Sequence, residues 1–313
     1  MKTVVLDGFS ANPGDLSWEW LAKYGGYEVY DYSRREEIIS RSRGADAVII
    51  NKTRLDAELL GKMETVKYIG LLSTGINAVD TEAAHKLGIT VTNVPAYSTM
   101  SVAQHIFALI LSLTNGVAEH NAAVKRGKWT SSPQFCFYET PLTELMGKTF
   151  GVVGMGSIGH AVSKIADAFG MRVIYTSRSK KECAYEFVSK QELAAQSDFI
   201  AFCCPLNKET ADYVSDEFIA LCKQGCVIVN TSRGGVVDEA ALARGLDSGR
   251  ISHALLDVMR QEPPFDGSPL LGRDDCTITP HIAWGSFEAR ERLMVCVENN
   301  LKSFIEGKTE NAV

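Results

Sequence analysis

Residues 149–159 read TFGVVGMGSIG, an apolar run that breaks into three glycines with the spacing G-x-G-x-x-G. Gly154 allows a tight turn, Gly156 allows the backbone to approach a pyrophosphate, and Gly159 lets a helix pack closely on the strand. An amphipathic helical pattern follows the glycines, and a second apolar strand is predicted at residues 172–176. Because a strand precedes the turn and a helix and a strand follow it, the stretch predicts a dinucleotide-binding βαβ unit.

The first hundred residues alternate short apolar runs with helical patterns, which is typical of a parallel sheet covered on both faces. Strands are predicted at Val4–Leu6, Glu28–Tyr30, Ala47–Ile50, Tyr68–Leu72 and Thr90–Val94. Helices are predicted at Ser17–Tyr24, Glu36–Arg43, Ala57–Lys62 and Thr81–Leu87. This alternation indicates a five-stranded doubly wound unit.

A long helix is predicted from Ser98 to Leu113, followed by a less regular stretch from Val117 to Leu145. Beyond the glycine-rich turn, further strands are predicted at Phe199–Cys203, Val227–Asn230, His253–Asp257 and Thr277–Thr279. A final helix follows, with Ser286 as its N-cap. This helix has no strand of its own to cover, so we expect it to return to the first domain.

The fold class predicted from this order is α/β, with two doubly wound parallel-sheet domains and a cleft between them. Residues 1–98 with 286–313 are expected to form a flavodoxin-like substrate domain. Residues 99–285 are expected to form a Rossmann dinucleotide-binding domain. A chain of 313 residues is long enough for two such cores.

Composition and charge indicate which kinds of partner the chain is not expected to bind. The net charge of −6 gives no electrostatic reason to expect nucleic acid or an anionic membrane. No apolar stretch reaches membrane-spanning length and no signal-peptide pattern opens the chain, so a cytoplasmic location is expected. The eight cysteines are scattered without a zinc pattern, so no metal site is expected and reduced thiols are the simplest interpretation.

Three polar residues follow strands of the second domain: Arg233, Glu262 and His281. Ligands of open α/β sheets bind outside the carboxyl ends of the strands, so these side chains could converge. Arginine suits a substrate carboxylate, and histidine can give or take a hydroxyl proton near neutral pH. A carboxylate on the far ring nitrogen would fix the tautomer. Taken alone, each would be an ordinary solvated loop residue.

A series of motifs gives these three residues more weight. In the second half they are NTSRGGVVD (230–238), DV (257–258), EP (262–263) and TPHIA (279–283), and in the first half STGINAVD (73–80) and GITVTNVP (88–95). Their order, across almost the whole chain, resembles the D-isomer-specific 2-hydroxyacid dehydrogenases. The stretches NVPAYS (93–98), SVAQ (101–104) and HIAW (281–284) are most similar to the glycerate dehydrogenase (hydroxypyruvate reductase, glyoxylate reductase) branch.

The resemblance implies roles for individual residues. Arg233 would orient the substrate, His281 would be the acid/base, and Glu262 would be its partner. Substrate contacts are implied for Lys52, Ser73, Thr74 and Gly75. Cofactor contacts are implied for Gly154, Gly156, Ser157, Ile158, Gly159, Ser177, Arg178, Ser179, Cys204, Pro205, Thr210, Thr231, Ser232, Asp257 and Ala283. The family's usual histidine before proline is replaced here by the sequence CCP (203–205), so one cofactor-side contact differs.

The segment after the second strand of the dinucleotide unit bears on the choice of cofactor. NAD-specific proteins carry an acid there that binds the ribose hydroxyls. Residues 175–181 instead read YTSRSKK, with no carboxylate and three cations. Arg178 could bind a 2′-phosphate, with Ser177 or Ser179 donating hydrogen bonds. The segment favours NADP(H), and NAD(H) is the alternative.

The function implied is NAD(P)H-dependent reduction of hydroxypyruvate or glyoxylate to D-glycerate or glycolate. A corepressor-like dinucleotide sensor shares the fold, but no extended tail is visible in the sequence. A phosphoglycerate dehydrogenase would need extra cations in its substrate cleft. A small 2-oxo or 2-hydroxy acid is the expected ligand. Because Trp129, Phe135 and Phe137 lie where family members pair, we also expect a homodimer.

Overall fold

The computed structural model describes residues 1–313, which form two compact units. One contains residues 1–98 with 285–313, and the other contains residues 99–284. The strands, in chain order, are β1 (Thr3–Val5), β2 (Tyr27–Val29), β3 (Ala47–Ile50), β4 (Tyr68–Leu71), β5 (Thr90–Thr92), β6 (Thr149–Val153), β7 (Arg172–Thr176), β8 (Glu186–Phe187), β9 (Phe199–Phe202), β10 (Cys226–Asn230), β11 (Ile251–Leu256) and β12 (Cys276–Ile278).

The α-helices are α1 (Arg35–Arg41), α2 (Ala57–Gly61), α3 (Thr81–Lys86), α4 (Thr99–Asn115), α5 (Val117–Lys125), α6 (Ser157–Ala168), α7 (Lys190–Gln196), α8 (Asp216–Leu221), α9 (Glu239–Asp247) and α10 (Phe287–Ile305). Two short 3-10 helices lie at Glu19–Tyr24 and Gly234–Val236. No single helix is long and apolar enough to cross a membrane, and only the bent pair α4–α5 meets such a criterion by combined length and composition.

The first unit is built on a five-stranded sheet with the order β2-β1-β3-β4-β5, and all of its pairs are parallel. This is the flavodoxin-like strand order that the sequence predicts. All residues of the central strands β3 and β4 are buried, so both faces of this sheet are covered. The helix predicted at Ser17–Tyr24 is instead a 3-10 helix over Glu19–Tyr24, and it ends at Gly25, which has a φ of 135°.

Helix α10 completes the first unit. Its N-cap is Ser286, whose hydroxyl accepts the backbone N–H of Ala289 at 3.3 Å, as predicted. The helix packs on β4, and the ring of Phe304 lies 4.9 Å from that of Tyr68. The side-chain amide of Asn300 donates to the backbone carbonyl of Asn93 at 2.9 Å. The last helix therefore packs on the sheet of the first five strands.

The second unit is built on a seven-stranded parallel sheet with the order β12-β11-β10-β9-β6-β7-β8. The order reverses between β6 and β9, which is the switch point of a Rossmann fold. Separate apolar cores cover the two faces of the sheet. The predicted fold class of two parallel-sheet α/β domains is therefore confirmed.

Helix α5 and strand β8 of the second unit lie outside the predictions. Helix α5 occupies the start of the stretch predicted to be irregular, and it buries only Ala123, so the sequence carries no apolar stripe to reveal it. Strand β8 has two exposed residues and pairs only with β7. Helix α5 begins directly after Gly116, whose left-handed φ of 52° separates it from α4.

Candidate active site

The glycine-rich turn joins β6 to α6 as the sequence predicts. Gly154 has a φ of 100°, and a Cβ there would lie 2.8 Å from the backbone nitrogen of Cys204. A Cβ on Gly159 would overlap the carbonyl of Gly154, so both positions are closed to larger residues. Gly156, the N-cap of α6, faces open space, and no side chain caps the helix. The unpaired N–H groups of this helix start, including those of Ser157 and Ile158, fit a dinucleotide pyrophosphate.

The turn after β7, residues 177–181, contains three cationic side chains and no carboxylate. The hydroxyl of Ser177 donates to the backbone carbonyl of Ser179 at 2.7 Å. Arg178 is exposed and makes no hydrogen bond or ion pair. The backbone N–H of Lys181 donates to the hydroxyl of Tyr175 at 2.8 Å, which ties the end of the turn to β7. The turn therefore presents Arg178 without a carboxylate beside it.

The next strand end, after β9, contains the cysteine pair that replaces the family's histidine. Burial raises the pKa of the Cys204 thiol to about 11, so the thiol is neutral near pH 7. Thr210 closes the loop that follows, because its hydroxyl donates to the backbone carbonyl of Pro205 at 2.6 Å and accepts the N–H of Asn207 at 2.8 Å. Cys204 therefore supplies a buried, neutral thiol at the position where the family has an imidazole.

Arg233 follows β10 and is fixed by a residue to which the sequence interpretation gave no role. The fully buried side chain of Asn230 donates to the carbonyl of Arg233 at 2.9 Å. Its oxygen accepts the backbone N–H of Ser232 at 3.0 Å and the hydroxyl of Ser232 at 2.8 Å. The Arg233 guanidinium donates to the carbonyl of Ser232 at 2.7 Å. In the sequence, an asparagine at the end of the apolar strand, just before TSRGG, is the feature from which this supporting role could have been predicted.

Glu262 and His281 form a direct pair. The carboxylate Oε2 lies 2.7 Å from Nδ1 of His281, and Oε1 accepts the backbone N–H of Met259 at 3.0 Å. The pair holds the Nδ1 proton on the glutamate side, so Nε2 is the ring atom that can exchange a proton with a ligand. His281 itself has a φ of 54°, in the left-handed region that non-glycine residues rarely adopt.

Asp257 lies under the loop that carries His281. The carboxylate is buried and accepts three hydrogen bonds, from the hydroxyl of Thr279 at 2.6 Å and from the N–H groups of Ile282 at 2.9 Å and Ala283 at 2.8 Å. The cofactor contact implied for Asp257 stays a prediction, as do those of Thr231 and Ser232. What the structure shows is a carboxylate that organises residues 279–283.

The substrate residues implied by the resemblance belong to the first unit. The hydroxyl of Ser73 donates to the carbonyl of Gly75 at 2.7 Å, and that of Thr74 donates to the carbonyl of Val94 at 2.7 Å. The backbone N–H groups of Thr74 and Gly75 donate no hydrogen bond, which leaves them available to a ligand carboxylate. Their substrate role stays a prediction.

Lys52 is positioned by the buried carboxylate of Asp7, which accepts the N–H groups of Asn51, Lys52 and Thr53 at 2.7, 2.6 and 2.7 Å. Burial raises the pKa of Asp7, and the three backbone donors oppose that rise. Lys52 lines a groove of about 580 Å³ that Ser73, Thr74 and Gly75 do not line. No group of three or more His, Cys, Asp or Glu side chains is placed to hold a metal ion.

The comparisons with known proteins agree with this geometry. Residues 107–283 match the model of the D-isomer specific 2-hydroxyacid dehydrogenase NAD binding domain. A hydroxypyruvate reductase of Blautia hydrogenotrophica is 44% identical, with 100% of this chain and 99% of that protein covered.

Two solved structures share the whole fold. An acyclic imino acid reductase in complex with NADPH and D-Arg has a TM-score of 0.86 and 30% identity, covering 100% of both chains. A D-lactate dehydrogenase from Aquifex aeolicus, complexed with NAD and lactic acid, has a TM-score of 0.84 and 30% identity, covering 98% of this chain and 96% of that one. With the Arg233, Glu262 and His281 strand ends and the glycine-rich turn in place, the chain belongs to the D-isomer-specific 2-hydroxyacid dehydrogenase family.

Proposed function

We propose that this protein reduces hydroxypyruvate or glyoxylate to D-glycerate or glycolate with NADPH as the preferred reductant. Reduction of 2-oxo acids to D-2-hydroxy acids is the activity of its family, and the hydroxypyruvate reductase is the 44% identical relative. The observation that carries the proposal is the 2.7 Å contact between Glu262 and His281. A pair of this kind serves a reaction that moves a proton together with a hydride.

Three adjacent strands supply the reacting groups. Arg233 follows β10, Glu262 follows β11 and His281 follows β12, and these strands are neighbours in one sheet. Arg233 binds the substrate through its guanidinium and polarises the 2-oxo carbonyl. The imidazolium of His281 donates its Nε2 proton to the carbonyl oxygen, while Glu262 stabilises the positive ring before transfer. In the reverse direction, neutral His281 accepts the proton of the hydroxyl group.

A bound NAD(P)H would supply the hydride and so be oxidised to NAD(P)⁺. With a hydride at carbon and the proton of His281 at oxygen, the reduction of the carbonyl balances. The residues that would hold the dinucleotide are those of the glycine-rich turn, from Gly154 to Gly159, and those after β7. We assign dinucleotide binding, together with the Arg233, Glu262 and His281 side chains, to the second unit, and the substrate contacts of Lys52, Ser73, Thr74 and Gly75 to the first. The match of residues 107–283 to the dinucleotide-binding model supports the first of these assignments.

The preference for NADPH rests on the turn after β7. A 2′-phosphate carries negative charge, which an acid at this turn would repel and a guanidinium would attract. Here Ser177 stands where an acid would select NAD, and Arg178 is exposed without a competing carboxylate. One solved relative is in complex with NADPH and another with NAD, so support for the proposed preference comes from the residues of this turn.

We also propose a homodimer that pairs through the second unit. Phe135 is 91% exposed and Trp129 is 51% exposed, and such aromatic surface is typical of a protein interface. Phe137, by contrast, stacks on His120 within its own unit, with ring centroids 6.3 Å apart. The eight free cysteines are consistent with the reducing cytoplasm that we propose as its location.

The experiment that tests the function is a side-by-side assay of NADPH and NADH oxidation with hydroxypyruvate, glyoxylate and pyruvate. We expect turnover with hydroxypyruvate or glyoxylate to exceed that with pyruvate. A dinucleotide-sensing corepressor would bind NADPH but turn over none of the three acids. A phosphoglycerate dehydrogenase would oxidise 3-phosphoglycerate in preference to D-glycerate. Either result would overturn the proposal.

A further inference from the structure

Helix α4 contacts the loop that carries His281 through two polar side chains. Ser101 and His105 stand four residues apart, so they lie on the same face of the helix. The hydroxyl of Ser101 donates to the carbonyl of Ala283 at 2.7 Å. The Nε2 atom of His105 lies 2.9 Å from the hydroxyl oxygen of Thr279. The two contacts hold the two ends of residues 279–283, with His281 at the centre.

The direction of these hydrogen bonds can be worked out from Asp257. Its carboxylate only accepts, and the hydroxyl of Thr279 lies 2.6 Å from it, so the single hydroxyl hydrogen of Thr279 points at Asp257. Thr279 must then accept from His105, which requires a proton on Nε2 of that ring. The order of donation is His105 to Thr279 to Asp257, and the same carboxylate accepts the N–H groups of Ile282 and Ala283.

The centre of this loop needs such support. His281 adopts a φ of 54°, and residues in this region persist only when their surroundings hold them there. Its N–H donates to the carbonyl of Asp257 at 2.8 Å, and its carbonyl accepts the indole N–H of Trp284 at 2.9 Å. If either end of the loop were released, the imidazole would leave its 2.7 Å contact with Glu262.

We propose that Ser101 and His105 of α4 are positioning residues for catalysis, which hold the His281 loop so that its imidazole stays on Glu262. This proposal rests on the acid/base role of His281 in the proposed function. Ser101 and His105 do not touch the reacting atoms in this scheme. They act through Thr279, Asp257 and Ala283.

The first test compares three substitutions on α4. His105→Leu removes the donor, and His105→Gln keeps an amide N–H at a similar reach. Gln104→Leu is the control, because Gln104 is an exposed neighbour on the same helix. We expect His105→Leu to lower kcat for reduction about 10- to 100-fold, since small misplacements of reacting groups have effects of that size. His105→Gln should recover most of the loss, and Gln104→Leu should behave as wild type.

The pH profile separates positioning from simple destabilisation. A His281 ring that has left Glu262 loses its partner carboxylate, so the profile of reduction should move toward lower pH in His105→Leu. A variant that is merely less stable would keep the wild-type profile. If His105→Leu fails to fold, Ser101→Ala tests the other end of the loop and should show the same shift to a smaller extent. Wild-type kcat and an unshifted profile in these variants would overturn the proposal.

A readout that does not use activity completes the test. In the wild-type protein, ¹⁵N NMR of the histidine rings should show His105 protonated on Nε2 and His281 protonated on Nδ1. The Nδ1–H signal of His281 should weaken or move in His105→Leu. His105 protonated only on Nδ1 would contradict the proposed order of donation. If the wild type turned over none of the 2-oxo acids, the proposed function would fail, whereas these ring signals would still test the loop arrangement.

Discussion

Glu262 binds His281 with one carboxylate oxygen and the backbone N–H of Met259 with the other, at 2.7 and 3.0 Å. The second bond ties the carboxylate to the loop that follows β11 and opposes its rotation away from the ring. His281, which follows β12, is therefore paired with a carboxylate that follows the neighbouring strand β11 and is itself held by a backbone hydrogen bond. The contribution of each of the two side chains can therefore be measured by substituting one at a time.

Replacing either member of the pair should have a distinct effect. His281→Ala removes the proton donor and should lower turnover by about 10²- to 10⁴-fold. Glu262→Gln keeps the shape but removes the charge that stabilises the imidazolium, so the pH profile of reduction should move toward lower pH. Initial rates between pH 5 and pH 9 measure both effects. An unchanged pH dependence in Glu262→Gln would rule out the pairing.

Arg233→Lys tests the substrate cation. A lysine keeps the charge but cannot form the two parallel bonds of a guanidinium with a carboxylate. We expect kcat/KM for the 2-oxo acid to fall about 10- to 150-fold, the equivalent of roughly 1.5–3 kcal/mol for a charged hydrogen bond. The Kd of NADPH, measured by fluorescence titration, should stay near the wild-type value. An equal loss of NADPH affinity would mean that Arg233 serves the dinucleotide.

Gly234→Ala tests the close approach that brings the Arg233 and Glu262 loops together. A Cβ at Gly234 would overlap the backbone carbonyl of Met259, which cannot move aside. We expect a loss of about 3 kcal/mol in the free energy of unfolding, the upper end of typical overpacking costs. Gly235→Ala is the matched control, because its Cβ would meet only the Leu206 side chain, at 2.9 Å.

Urea unfolding of the two alanine variants measures this difference. The exposed Leu206 side chain can rotate, so Gly235→Ala should stay within about 1 kcal/mol of wild type. Equal stability of the two variants would show that the loops can separate without cost.

The cofactor preference is tested by exchanging the charge of the turn after β7. An arginine–phosphate contact contributes on the order of 1.5–3 kcal/mol, so the wild type should favour NADPH about 10- to 150-fold in kcat/KM. Ser177→Asp combined with Arg178→Ala should reverse this preference, since the new acid repels the phosphate and can accept from the ribose. Lys180→Ala is a control for general loss of positive charge. Equal use of NADH by the wild type would contradict the proposal.

The proposed dimer predicts twice the monomer mass in solution. Sedimentation at micromolar concentration should give about 68 kDa for a chain of 34.2 kDa. Phe135→Ser removes a large exposed aromatic and should weaken the association if this surface is the interface. Leu271→Ser, at an exposed apolar residue elsewhere in the same unit, is the control. A monomeric wild type would count against the dimer.

The sequence predicted both parallel sheets because their strands are continuous apolar runs separated by turn residues. Predicted strand ends differ from the observed ones by one or two residues, as for Val4–Leu6 against β1. Helix α5 was outside the prediction because it buries a single alanine. Periodicity can identify only an element that buries a stripe of residues.

The candidate site was predicted less completely than the fold. The motifs point to Arg233, Glu262 and His281, whose proposed roles depend on the chemistry of their own side chains. The hydrogen bonds that position these residues were not predicted. Those of buried Asn230, and the bond between His105 and Thr279, depend on tertiary contacts. Distances between residues far apart in sequence are set by packing, and a linear pattern does not contain them.

The placement of α10 also orders the events of synthesis. The first unit takes its last helix from residues 287–305, so one face of its sheet stays uncovered until those residues have left the ribosome. The second unit, residues 99–284, has all its segments before that point. The second unit can therefore fold during synthesis while the first unit, whose strands are synthesised earlier, still lacks α10. The ring of Tyr68 in β4, which packs against Phe304 of α10, stays uncovered for that interval.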